Sequence, residues 1–110
     1  MIIDLLYFAG CPSWQQALAN LETVIQEEKL DVTVNQIEVS SDKEAIRYRF
    51  LGSPSFQVDG VDLWPANQDD FSMNCRVYKT SQGLLGWPTI EMLRAKLKDL
   101  NRSPLTTSTQ

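Results

Sequence analysis

The chain of 110 residues contains no histidine and only two cysteines, Cys11 and Cys75. Without an imidazole there is no Ser-His or Cys-His nucleophile pair, and metal centres built on histidine are excluded. Two cysteines are too few for the disulfide framework of a small secreted domain or for a closed four-cysteine zinc site. Positive charge is also scarce: 10 Lys and Arg stand against 14 Asp and Glu, a net charge of −4. That balance argues against a nucleic-acid partner, which needs a basic face to track phosphates. No run reaches the ~18 apolar residues of a membrane helix. The start Met1-Ile2-Ile3-Asp4 lacks the basic segment, apolar stretch and cleavage site of a secretory signal. These absences predict a cytoplasmic chain with no membrane partner and no cofactor.

What remains is enough for one core, with 43% of residues apolar. Ile2 to Phe8 is apolar except at Asp4, which suits a central strand buried on both faces. From Pro12 the period changes: Trp14, Ala17, Leu18, Leu21, Val24 and Ile25 recur at helical spacing, so a helix is predicted to about Lys29. Pro12 fits its first turn, which puts Cys11 at or near the cap. Asp31 to Val39 carries Val32 and Val34 on one alternation and Ile37 and Val39 on the other, a phase slip that predicts an irregular or less buried strand. Ser41-Asp42-Lys43-Glu44 reads as a capping box for a short helix that holds Ile46 and Phe50 one turn apart and stops near Leu51-Gly52.

Phe56 and Val58 alternate, Asp59-Gly60 is a strong hairpin turn, and Val61 and Leu63 resume the alternation. Trp64 to Gly86 has no clear period and reads as a long loop with a candidate strand at Cys75 to Lys79. Within it the Asp69-Asp70 pair reads as solvated loop, and Trp64, Phe71 and Trp87 as local packing. Pro88-Thr89 opens a last helix with Ile90, Leu93, Leu97 and Leu100 on one stripe. The Ser- and Thr-rich residues from Asn101 to Gln110 are predicted to be a disordered tail.

Two short stretches fall at telling joints: Cys11-Pro12-Ser13-Trp14 where the first strand meets the first helix, and Gly52-Ser53-Pro54-Ser55 where the chain enters the third strand. In this element order they resemble the thioredoxin-like superfamily, over roughly residues 1–100. The first stretch matches the position of that family's Cys-x-x-Cys motif, and the second its cis-proline loop. The resemblance implies an α/β three-layer fold in the order β-α-β-α-β-β-α, a central mixed sheet, and an insertion at about 64–86 between the last strand and the last helix. It implies a cis Ser53-Pro54 bond that leaves the backbone of Ser53 free to pair with a peptide or glutathione, whereas base rates alone favour trans. It makes Cys11 the reactive thiol, since a cysteine at a helix start faces unpaired N–H groups and the positive dipole end. Pro12, Ser13, Trp14, Ser53 and Pro54 then form the surface that receives a thiol or disulfide substrate.

The family's second cysteine is Trp14 here, so a second thiol must resolve any mixed disulfide, either glutathione or Cys75. If Val61 to Leu63 returns antiparallel beside Pro54, Cys75 emerges at the Cys11 end and Arg76 is available as a cation near the thiolate. If Cys75 to Lys79 is the fourth strand, Cys75 starts at the opposite end and cannot pair. The hairpin turn favours the first arrangement. Two binding readings stand beside thiol exchange: capture of a soft metal, Hg(II) or Cu(I), by Cys11 and Cys75, or a protein-interaction domain. The Cys-Arg-Val-Tyr run in the insertion is similar to small thioredoxin-like proteins associated with mercury resistance.

Overall fold

The computed structural model describes residues 1–66, 71 and 73–108; the Asp69-Asp70 pair lies outside the described residues. The chain is α/β. Strand β1 (Ile2–Tyr7), helix α1 (Trp14–Glu27), strand β2 (Thr33–Glu38), helix α2 (Asp42–Tyr48), strands β3 (Ser55–Val58) and β4 (Val61–Asp62), a second hairpin of β5 (Tyr78–Thr80) and β6 (Gly83–Leu85), and helix α3 (Ile90–Ser108) follow in order. The main sheet is mixed, in the order β2-β1-β3-β4. β1 lies parallel to β2 and antiparallel to β3, so the most apolar strand is central, as its composition requires. The crossover through α1 supplies the length that a parallel pair needs.

Both faces of β1 are covered. Ile3 and Leu5 pack with Ala17, Leu21 and Val24 of α1, Phe56 of β3, and Leu93 and Leu97 of α3. Leu6 points into a smaller cluster with Val39, Ala45 and Phe50. Strand β2 is the sheet edge and is only partly buried, which accounts for its broken alternation. Asn20 of α1 is buried despite its polarity: its amide donates to the Pro88 carbonyl and ties α1 to the start of α3.

Helix α2 keeps its predicted cap but not its predicted face. Ser41 Oγ accepts from the Glu44 N–H, while the Glu44 carboxylate reaches back to the N–H and hydroxyl of Ser40. These bonds to the charged form hold the Glu44 carboxyl below its ordinary pKa. The helix stops at Tyr48 with Arg49 left-handed, which turns Phe50 into the core from outside the helix and leaves Ile46 exposed. Asp59 and Gly60 both have positive φ, the twist a two-residue hairpin demands.

Two boundaries differ from the sequence reading. Residues 78–85, read as loop beyond Lys79, form the β5-β6 hairpin, closed by Gly83 at positive φ and by Thr80, whose hydroxyl donates to the Gly83 carbonyl. Helix α3 continues to Ser108, past the boundary at Leu100 where the apolar stripe ends and a disordered tail is predicted. Among the described residues no helix is long and apolar enough to cross a membrane.

Candidate functional site

The end of β1 turns sharply before α1 begins. Cys11 donates its backbone N–H to the Phe8 carbonyl, Pro12 has none to give, and the first helical bond runs from Ala17 to the Ser13 carbonyl. Ser13 is therefore the N-cap and α1 opens at Trp14. Cys11 lies two residues before the cap, and Pro12 precedes the first turn, which corrects the predicted start. Trp14 stacks on Tyr7, with centroids 4.1 Å apart, and packs against the main core; it is a packing residue.

The Ser53-Pro54 peptide is cis, and Cys11 Sγ donates to the Ser53 carbonyl at 3.6 Å. Ser53 Oγ in turn accepts the Phe8 N–H. Cys11, the reactive thiol that the resemblance implies, is only 5% exposed. The insertion folds back over the 52–55 loop, whose Ser53 accepts the Cys11 thiol. Cys75 forms a parallel bridge with Ser53: the Ser53 N–H donates to the Asn74 carbonyl at 2.8 Å and the Arg76 N–H donates to the Ser53 carbonyl at 2.9 Å. The backbone edge implied to be open to a substrate peptide is thus filled by the chain's own residues 74–76.

Side chains lock the same contact. Tyr78 donates its hydroxyl to the Pro54 carbonyl at 2.6 Å, and burial pushes its phenol above its ordinary pKa. Arg76 donates to Asp62 with both terminal nitrogens, to Ser55 Oγ and to the Trp64 carbonyl, while its guanidinium lies 4.7 Å from the Tyr78 ring centroid. Its donors therefore go to a buried structural network, not to the Cys11 thiol as a neighbouring cation. Trp64 sits edge-on to Phe56 and Tyr78, the packing role read from the sequence. Gly52 completes the seat. Its φ of +116° is strained for any L side chain, and a Cβ there would meet Arg76 Cβ at 3.0 Å.

The far end of the insertion closes on the other half of the site. A Cβ on Gly86 would collide with Ser13 Oγ and lie 3.2 Å from Ser13 Cβ. The insertion therefore touches both the 11–14 turn and the 52–55 loop, and it brings Cys75 to the Cys11 end, as the Val61-to-Leu63 return predicts. Both cysteines are free; Cys11 is buried and Cys75 exposed. The Ser53 carbonyl oxygen accepts both the Cys11 thiol and the N–H of Arg76, the residue after Cys75.

Sequence reasoning missed Tyr78, Asp62 and Gly86 as parts of this arrangement. Only the Gly in Leu85-Gly86-Trp87 carried a signal, that of a close approach. Comparison with protein-family models, with curated proteins and with solved structures finds no match.

Proposed function

We propose that the chain is a thioredoxin-like thiol-disulfide exchange protein whose working dithiol is Cys11 and Cys75. The observation that carries this reading is that both cysteine-bearing segments meet at Ser53: the Cys11 thiol donates to its carbonyl, and Cys75 is its bridge partner. The Cys11-Pro12-Ser13-Trp14 stretch lacks a second thiol, and Cys75 is the other cysteine of the chain, bridged by its backbone to the same loop. The mixed sheet, with its parallel β1-β2 pair and antiparallel β3-β4 return, supports the same reading. In the cycle, a substrate disulfide of a peptide, protein or glutathione takes two electrons from the dithiol and leaves a Cys11-Cys75 disulfide, which a thiol such as glutathione reduces again.

The test is equilibration in glutathione redox buffers followed by acid quench and peptide mapping. A Cys11-Cys75 linkage that forms in the folded monomer supports the reading. Two thiols that stay alkylatable across the whole range, or that pair only between molecules, refute it.

The same convergence favours a second reading, a two-thiolate site for a soft ion such as Cu(I) or Hg(II). One ion bound per chain, and lost in both Cys11→Ser and Cys75→Ser, supports it; binding that survives both changes excludes it.

A further inference from the structure

The two thiols are not equivalent, and their inequality runs opposite to the sequence expectation. Cys11 is enclosed, 5% exposed, with its thiol on the Ser53 carbonyl. Cys75, in the segment bridged to Ser53, is exposed, as is the Val77 side chain two residues on. A disulfide arriving from solvent must bring one sulfur into line with the attacking sulfur, so access selects the first nucleophile as surely as thiolate content does. The enclosed thiol meets only what its own fold brings to it, and there proximity replaces access.

We propose that Cys75 is the entry thiol and Cys11 the resolving thiol, the reverse of the order implied by their places in the chain. The order rests on the exchange reading itself. Cys75 loses its proton to solvent and attacks one sulfur of R-S-S-R′. The Cys75-S-S-R bond forms, the R-S-S-R′ bond breaks, and R′S⁻ departs to take a proton from water. Cys11, deprotonated in turn, attacks Cys75 Sγ. The Cys11-Cys75 bond forms, and RS⁻ leaves and is protonated. The substrate disulfide is reduced by two electrons to two thiols, and the dithiol is oxidised. Two equivalents of reduced glutathione, themselves oxidised to glutathione disulfide, restore it. In this order the insertion serves as an arm that accepts the substrate on its outside and passes the disulfide inward across Ser53.

The probe is dithiobis-nitrobenzoate, whose thionitrobenzoate product is coloured. With Cys11→Ser, one thionitrobenzoate is released at the wild-type initial rate and the chain stops as a mixed disulfide at Cys75. With Cys75→Ser, release from the folded chain slows by about tenfold or more, because the remaining thiol is enclosed. Wild type releases two and ends as the Cys11-Cys75 disulfide. Alkylation quench and peptide mapping of wild type at early times give the order even where a variant fails to fold, with the first adduct expected on Cys75. A first adduct on Cys11, or a Cys75→Ser chain that reacts as fast as wild type, overturns the order while leaving thiol exchange intact. Early adducts on Cys75 with no second release overturn the resolving role of Cys11. If neither thiol reacts in the folded chain while both react in guanidinium, thiol exchange itself fails.

Discussion

Replacing Arg76 with methionine tests the element on which the site's architecture depends. Methionine keeps an unbranched apolar stem and deletes the charge. The Arg76 and Asp62 side chains are 10% and 6% exposed, with Nη1 2.8 Å from Oδ2, so the pair is shielded from the solvent that makes surface ion pairs weak. Arg76→Met leaves the Asp62 carboxylate buried without its cation and the Trp64 carbonyl without its donor. Breaking one side of such a pair costs about 3–5 kcal/mol, a large share of the ~5–15 kcal/mol that holds a domain of this size. Asp62→Asn keeps an acceptor for the Trp64 N–H, which now donates to Asp62 Oδ1 at 2.8 Å, and removes the orphaned charge. In the double variant the second change therefore costs less than it does alone, with a coupling of about 1–3 kcal/mol. Urea unfolding followed by tryptophan fluorescence and circular dichroism measures the cycle. Additivity within about 0.5 kcal/mol would refute the argument, because residues that share a buried charge pair cannot act independently.

Tyr78→Phe removes the donor to the buried Pro54 carbonyl and nothing else of the ring, so it should cost about 1–3 kcal/mol in urea unfolding at neutral pH. Burial raises the phenol above its ordinary value of 10.0, so above pH ~10 the unfolded chain loses this proton first. Wild-type stability then falls as pH rises, and the Phe variant lacks that contribution to the slope; parallel losses in the two proteins would show that Tyr78 is not buried as described. Gly86→Ala should lower thermal stability by the equivalent of about 1 kcal/mol, the low end of overpacking, because the atom in the way is the tip of Ser13. Ser13→Ala in that background should restore most of the loss, and a Gly86→Ala chain as stable as wild type would contradict the contact.

Local chemistry made several elements legible in the sequence. The apolar run at Ile2 to Phe8 could only be a central strand, Ser41 with Glu44 could only open a helix, and Asp59-Gly60 turned the hairpin that carries the chain back toward Cys11. The second hairpin was not legible, since β5 and β6 are three residues each and too short to establish a period. Phe50 misled for a related reason. Its spacing from Ile46 fits a helix, but the left-handed Arg49 ends that helix first, and the core takes Phe50 alone.

The sequence by itself determined the candidate chemistry. With no histidine and two cysteines, any nucleophile of this kind is a thiol acting without an imidazole, and Trp14 means that its second thiol comes from outside the motif, from glutathione or from Cys75. Which thiol is covered, and by what, only the tertiary structure decided. Exposure is set by packing between positions 42 apart in the chain, as between Cys11 and Ser53, and no local pattern encodes that. The insertion read as a loop with one candidate strand is held by Tyr78, Arg76 and Gly52 against the proline loop, its own cysteine at the surface, while the cysteine of the strand-to-helix turn is buried.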